Sequence, residues 1–207
     1  MELELIQIKT NTIPLDGLLY SPTNQTPKGV VMICHGNTMN FYVGASRFLP
    51  PTLCEMGYAC LSFNRRGHDI LGIRDSRIAE GAAFQTTAEG IEDNEYAANW
   101  LLGRGYELPI LVGHSNGGFL AVQHVVNNPK TPALVLLSAH SGGRGAEKLA
   151  AKTGLLGGNK TSQMREKAEN MIAEGRGDDL MFLPGWWYVA TAKSYIDRLT
   201  TMPDTVK

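Results

Sequence analysis

A serine between two glycines stands where an apolar run changes into a helix-like run. The pentapeptide is GHSNG at 113–117; PILV at 109–112 precedes it and FLAVQHVV at 119–126 follows it. A serine hydroxyl becomes an effective nucleophile when a strained turn exposes it beside a base and backbone N–H groups face the developing oxyanion. Glycines two residues away on each side let a strand and a helix pass close to the serine. The pattern predicts Ser115 as a nucleophile, with a tight turn that does no chemistry as the alternative.

A second element supplies what such a serine needs. The apolar run at 29–34 (GVVMIC) is typical of a buried parallel strand, and it leads into His35, Gly36 and Asn37. We expect the backbone N–H groups of Asn37 and Asn116 to form the oxyanion hole. We place His35 and His114 on the substrate-binding side of the same site.

These segments resemble the α/β-hydrolase superfamily, in its serine esterase, lysophospholipase and serine-aminopeptidase-like branch. The resemblance runs from about residue 5 to about residue 140, and rests on four landmarks in order: DG at 16–17, HGN at 35–37, NRRGHD at 64–69 and GHSNGG at 113–118. It implies an α/β fold: a mostly parallel sheet with an antiparallel N-terminal hairpin and helices on both faces. It also implies an acyl-enzyme formed on Ser115.

The alternation of apolar patterns supports that architecture. Segments 4–8 and 13–20 predict a hairpin, and strands at 30–34, 59–63, 110–112 and 133–138 alternate with helices at 45–56, 87–102 and 118–127. After the sixth strand, 163–174 and 188–199 are helix-periodic with no strand between them, which predicts a helical cap. Its apolar segment, 181–188, includes Trp186 and Trp187. We expect these two residues to bind a hydrophobic part of the substrate, or alternatively only to pack the cap.

The remaining catalytic residues do not follow in order. The family order is serine, then acid, then histidine, whereas no Asp or Glu lies between Ser115 and His140, and His124 falls inside a helix. We therefore expect a C-terminally incomplete hydrolase whose final strand units are missing. Its parts would be a core at 1–140, a cap at 141–200 and the start of the missing part at 201–207. Such a fragment would be inactive, and the strand at 133–138 would be a sheet edge prone to self-association.

Composition excludes several classes. A chain of 207 residues with 43% apolar residues and a formal charge of −1 can bury one core, and it has no charge excess for nucleic acid or an anionic membrane. The acidic start is unlike the basic start of a secretory signal, and three cysteines without a C-x-x-C pair are typical of a reducing compartment, so we expect a cytoplasmic protein. We expect no cofactor and no metal. GLLGGNKT at 154–161 departs from a phosphate loop, and the charges at 65–77 fit either an anion site or a local ion-pair network.

Three functions remain open. The first is a serine hydrolase that acts on a carboxylic ester or related acyl compound through Ser115. The second is a non-catalytic protein of the same fold that binds a small ligand under the cap, and the third is an acyltransferase that uses the same acyl-enzyme.

Overall fold

The fold is built on a six-stranded sheet. The computed structural model describes residues 1–74, 78–143, 146–185 and 188–201. Strand order is β1-β2-β4-β3-β7-β8, with bounds β1 Glu2–Ile8, β2 Leu15–Ser21, β3 Val30–Cys34, β4 Ala59–Phe63, β7 Ile110–His114 and β8 Leu134–Leu137. The pairs β1/β2 and β2/β4 are antiparallel, and β4/β3, β3/β7 and β7/β8 are parallel. The predicted mostly parallel sheet with an N-terminal hairpin is confirmed.

Helices cover both faces of this sheet. On one face α2 (Thr87–Gly103) and α3 (Asn116–Asn127) bury residues such as Leu101 and Ala121 against the strands. On the other face α1 (Ala45–Glu55) packs through Cys54. Because both faces are covered, every residue of β3 and β4 is buried. Two-residue strands β5 (Gly72–Ile73) and β6 (Ala79–Glu80), which we did not predict, form a small ladder in the loop after β4.

Beyond the sixth strand of the sheet, the chain is mostly helical but not entirely so. It forms α4 (Ala146–Thr153), a 3-10 helix (Leu155–Lys160), α5 (Thr161–Ala173), β9 (Leu180–Leu183), β10 (Tyr188–Thr191) and α6 (Ala192–Thr200). The prediction of a helix over 188–199 with no strand before it was therefore wrong at its start. Residues 180–183 alternate between exposed and buried, which is strand periodicity, and β10 pairs with them. Thr191 then caps α6 by accepting a hydrogen bond from the Ser194 N–H.

A short segment of the core, residues 82–87, fastens this region to the sheet domain. The Thr191 N–H donates to the Ala83 carbonyl at 2.9 Å, and the Ser194 hydroxyl donates to the Gln85 carbonyl at 2.9 Å. A carboxylate oxygen of Asp197 accepts from both the N–H and the hydroxyl of Thr87, at 2.7 and 2.6 Å. Since Thr87 is the first residue of α2, this carboxylate also lies at the positive end of a helix dipole.

The last strand of the sheet has a free edge within the described ranges. Strand β8 pairs with β7, and its Val135 and Leu136 side chains are each 45% exposed. The predicted position of this strand at the sheet edge is confirmed. Of the helices that the structure describes, none has the length and apolarity that crossing a bilayer requires.

Candidate active site

Ser115 occupies a strained turn between β7 and α3. Its φ is 52° and its ψ is −119°, a conformation that side-chain-bearing residues rarely adopt. The flanking glycines are sterically required. A methyl group on Gly113 would lie 2.5 Å from the Gly118 Cα, and one on Gly117 would lie 2.2 Å from the Cys34 carbonyl oxygen. The sharp turn predicted from the pentapeptide is therefore present.

Backbone hydrogen bonds hold the turn in place. The Ser115 N–H donates to the Leu137 carbonyl at 3.0 Å, and the Ser115 carbonyl accepts from the His140 N–H at 2.9 Å. These bonds join the elbow to the end of β8, so the serine is fixed by the sheet on one side. Its side chain lines a cavity of about 210 Å³.

The cavity wall comes from the loops after β3 and β4, the start of α2, the elbow with the first turn of α3, the segment after β8, and the mostly helical region beyond it. The wall residues with mainly apolar side chains include Ile70, Phe119, Leu156 and Tyr188. The other wall residues are Asn37, Thr38, Thr87, Asn116, His140, Gly142, Arg198 and Thr201. The site is therefore an apolar space with a few polar groups at its margin, which is the usual composition of a small-molecule pocket.

Asn37 and Asn116 both lie in this wall, as the oxyanion-hole prediction requires. Neither backbone N–H donates to an acceptor within the described ranges. Asn116 is also the first residue of α3, where the helix dipole favours negative charge. An oxyanion hole requires two such unengaged amides, so Asn37 and Asn116 remain the predicted donors.

His35 lies beneath the cavity and not in its wall. The ring is 1% exposed; its Nδ1 is 2.8 Å from the Gly36 carbonyl, and its Nε2 accepts from the Arg65 N–H at 3.2 Å. Burial, and then the positive charge of Arg65, lower the pKa of His35 well below its usual range. Since both ring nitrogens are occupied, we replace the expected substrate contact of His35 with a role in shaping the loop that contains Asn37.

Arg65 and its neighbours fix the same loop from below. The fully buried Arg65 guanidinium donates to the His35 carbonyl at 2.8 Å. The Asn64 side chain accepts from the Phe41 N–H at 2.8 Å, and the Asn40 side chain donates to Asp69 at 2.9 Å. The loop 64–69 and the loop after β3 therefore hold each other. In the sequence, only the NRRGHD motif signals this arrangement, and it does not identify the partners.

The expected substrate contacts of the other three residues differ in outcome. His114 ends β7 and is half-buried, but it is not part of the cavity wall; its Nδ1 lies within 2.8 Å of where a methyl group on Gly36 would be. Its expected contact with substrate thus finds no support in the cavity. Trp186 and Trp187 lie outside the described residues. Of the aromatic residues near them in the sequence, Tyr188 lines the cavity, whereas Phe182 is 80% exposed to solvent.

No histidine of the described ranges is hydrogen-bonded to the Ser115 hydroxyl. His140 lies in the wall, but its Nδ1 accepts from the Gly142 N–H at 3.0 Å, so in its neutral form the proton is on Nε2. Burial, and then the positive charge of Arg198, lower the pKa of His140. His124 is 1% exposed and lies 2.9 Å from Glu95. His140 is therefore placed as a hydrogen-bond donor and not as a base.

The charges after β4 form a local network. Arg66 binds Asp93 through its backbone N–H and its Nε, each at 2.8 Å, and Arg74 contacts Asp16 and Glu80. This favours the ion-pair interpretation of the segment over an anion site, although 75–77 lie outside the described ranges. The segment 154–161 follows helix α4 and not a strand, unlike a phosphate loop. Across the described ranges no three His, Cys, Asp or Glu side chains group as metal ligands would.

Comparisons with known sequences find partial relatives. No protein-family model matches the chain. The acylamino-acid-releasing enzyme of Mus musculus is 27% identical over 125 residues, which cover 58% of this chain and 17% of the enzyme. The Homo sapiens enzyme is 28% identical over 114 residues, or 54% of this chain and 15% of the enzyme. The chain thus spans less than a fifth of the curated relatives it matches.

Solved structures cover far more of the chain. A thermostable carboxyl esterase from Bacillus coagulans superposes with a TM-score of 0.62 at 18% identity, over 87% of this chain and 54% of the esterase. Est1E from Butyrivibrio proteoclasticus, solved with ferulic acid, gives 0.65 at 19%, over 95% and 71%. The α/β-hydrolase GrgF from Penicillium gives 0.63 at 12%, over 98% and 74%. With the sheet order described above, these likenesses show that the chain has the α/β-hydrolase fold.

Proposed function

We propose that the chain is a serine hydrolase that acts on a carboxylic ester or related acyl compound. The observation that supports this most directly is Ser115 at φ 52°, in the wall of an apolar cavity beside the free N–H groups of Asn37 and Asn116. A turn of this conformation is costly for a serine, and such strain persists where function requires it. Esterases among the structural neighbours add support to the same proposal.

In the proposed mechanism, the Ser115 hydroxyl attacks the substrate carbonyl and the carbonyl oxygen becomes an anion. The amides of Asn37 and Asn116 bind that oxyanion; loss of one such donor costs roughly 100-fold or more in rate. Collapse of the intermediate expels the alcohol and leaves an acyl-enzyme, which water hydrolyses. The loop 35–41, which the loop 64–69 fixes, holds the Asn37 amide, and the elbow holds the Asn116 amide.

Both proton transfers require a base, and none of the described histidines is hydrogen-bonded to the Ser115 hydroxyl. We therefore propose that residues 1–207 alone hydrolyse esters no faster than their Ser115→Ala variant. Added imidazole supplies the missing base from solution. Since imidazole also attacks activated esters directly, the Ser115→Ala protein in the same buffer is the matched control.

The experiment measures 4-nitrophenyl acetate hydrolysis and acetylation of Ser115 by mass spectrometry, with and without imidazole. We expect imidazole-dependent acetylation at Ser115 and a rate above that of Ser115→Ala. Equal rates and no adduct in either buffer would overturn the serine mechanism.

The same outcome would favour a second candidate, a non-catalytic protein that binds a small ligand in the cavity. The specific observation in its favour is that His140, the histidine in the cavity wall, has its Nδ1 occupied by the Gly142 N–H, and no described histidine is hydrogen-bonded to the Ser115 hydroxyl. Cytoplasmic location and self-association through β8 remain predictions. Size-exclusion chromatography tests the latter.

A further inference from the structure

Arg198 is a cation in the cavity wall that has no acidic partner within the described ranges. It extends from α6 into the wall that also contains Ser115. Its guanidinium donates to the Tyr188 hydroxyl and to the Ala82 carbonyl, and it lies 5.4 Å from the centre of the Tyr188 ring. All these partners are neutral. Among the residues that the structure describes, no carboxylate oxygen lies within 4 Å of its nitrogens.

Several other arginines of the chain are paired with acids, whereas the buried Arg65 donates to the His35 carbonyl. Arg66 contacts Glu92 and Asp93, and Arg74 contacts Asp16 and Glu80. A half-buried guanidinium that is held by neutral acceptors keeps its full charge and three of its five N–H donors for another partner. Tyr188 and Ala82 thus orient the Arg198 group without neutralising it.

A second donor lies in the same wall. The His140 Nδ1 accepts from the Gly142 N–H, which leaves the Nε2–H of the neutral ring to donate. Burial, and then the positive charge of Arg198, lower the pKa of His140, and both residues belong to the same wall. Ile70, Phe119 and Leu156 are apolar members of the same wall, and the Phe119 ring packs edge-on against the His140 ring, with 6.1 Å between their centres.

Resting on the hydrolase function proposed above, we propose that the substrate is an ester that also bears a free carboxylate, and that Arg198 binds this carboxylate. His140 donates a further hydrogen bond to it, and the apolar wall contacts the carbon chain between the carboxylate and the ester. Arg198 is then the residue that determines specificity for acidic acyl compounds. A neutral ester of the same shape loses the charge-assisted hydrogen bonds.

The test measures binding and does not depend on turnover. 3-Phenylpropionate and 3-phenylpropionamide have nearly the same shape, and only the acid is charged. Isothermal titration calorimetry of both with the 207-residue protein should show the acid binding about tenfold more tightly or better, the range expected of a hydrogen bond to a charged group. The preference should weaken as NaCl is raised.

Variants assign the preference to Arg198. Arg198→Met should remove the preference for the acid while the amide binds as before. Arg198→Lys should retain part of it because the charge remains. Arg176→Met is the matched control, since Arg176 is exposed and paired with Glu174 and Asp179. It should keep the full preference.

Equal affinities for acid and amide in the unaltered protein, or no binding of the acid at millimolar concentration, would overturn the inference. So would a preference that survives in Arg198→Met. If Arg198→Met does not fold, the acid–amide comparison in the unaltered protein and its salt dependence still test whether the cavity prefers a carboxylate. Selective binding of the acid by a protein with no Ser115 acylation would refute the hydrolase proposal and leave the carboxylate site standing.

Discussion

Substitution of Ser115 by glycine should stabilise the protein relative to substitution by alanine. Both changes remove the hydroxyl, which makes no capping hydrogen bond in the structure. They differ in the Cβ atom, and at φ 52° and ψ −119° that atom is what makes the backbone costly. Residues held in such regions cost on the order of 1–3 kcal/mol, whereas glycine loses roughly 0.5–1 kcal/mol more chain entropy on folding. We therefore expect Ser115→Gly to be more stable than Ser115→Ala by about 1 kcal/mol, the difference between these two effects.

Urea unfolding followed by far-UV circular dichroism measures both free energies. The matched pair is Lys167→Gly and Lys167→Ala, at an exposed position inside α5 with ordinary helical geometry. There the glycine variant should be the less stable by about 1 kcal/mol. The glycine variant should therefore be the more stable one at position 115 and the less stable one at position 167. A Ser115→Gly protein equal to or less stable than the Ser115→Ala protein would refute the claim that the elbow stores strain.

Three further outcomes follow from the site. Gly117→Ala should destabilise by roughly 1–3 kcal/mol or more in thermal unfolding, because its methyl group meets the Cys34 and His35 carbonyl oxygens at 2.2 and 2.3 Å; an unchanged midpoint would contradict this. Arg65→Met should slow imidazole-assisted acylation about tenfold with its circular dichroism unchanged, because the His35 carbonyl loses its donor; an unchanged rate would leave Arg65 no positioning role. Folding lowers the pKa values of His35 and His140, so the unfolded chain binds more protons than the folded chain below about pH 6.5. The free energy of unfolding should therefore fall as the pH falls, by up to about 1.4 kcal/mol per pH unit for each ring. Urea unfolding at about pH 7.5 and 5.5 measures this.

The sheet and the elbow could be predicted from the sequence because their signals are local. Buried parallel strands are continuous apolar runs, and the glycines around Ser115 report a steric need that the structure confirms at Gly113 and Gly117. The alternation of runs then fixes the order of the elements. These features need no knowledge of distant contacts.

The features that the sequence does not reveal depend on contacts between separate elements. The helix periodicity of 188–199 was extended over Tyr188–Thr191, although Tyr, Val and Thr favour strands, and this segment pairs with Leu180–Leu183. His35 follows a strand as a substrate contact would, but Arg65, 30 residues on, occupies its Nε2. Nothing in the sequence singles out Arg198 as a binding residue, because one arginine in an amphipathic helix is normally solvated.

The attachment of α6 to residues 82–87 has a kinetic consequence. One wall of the cavity is fastened to the start of α2 by the two hydrogen bonds that Asp197 accepts, and to the same segment by Ser194 and Thr191. Opening that wall would break all of these hydrogen bonds at once, so we expect it to stay in place when a ligand binds. Ligand association in stopped-flow experiments should therefore be a single exponential whose rate rises linearly with concentration, without the plateau that a gating step imposes.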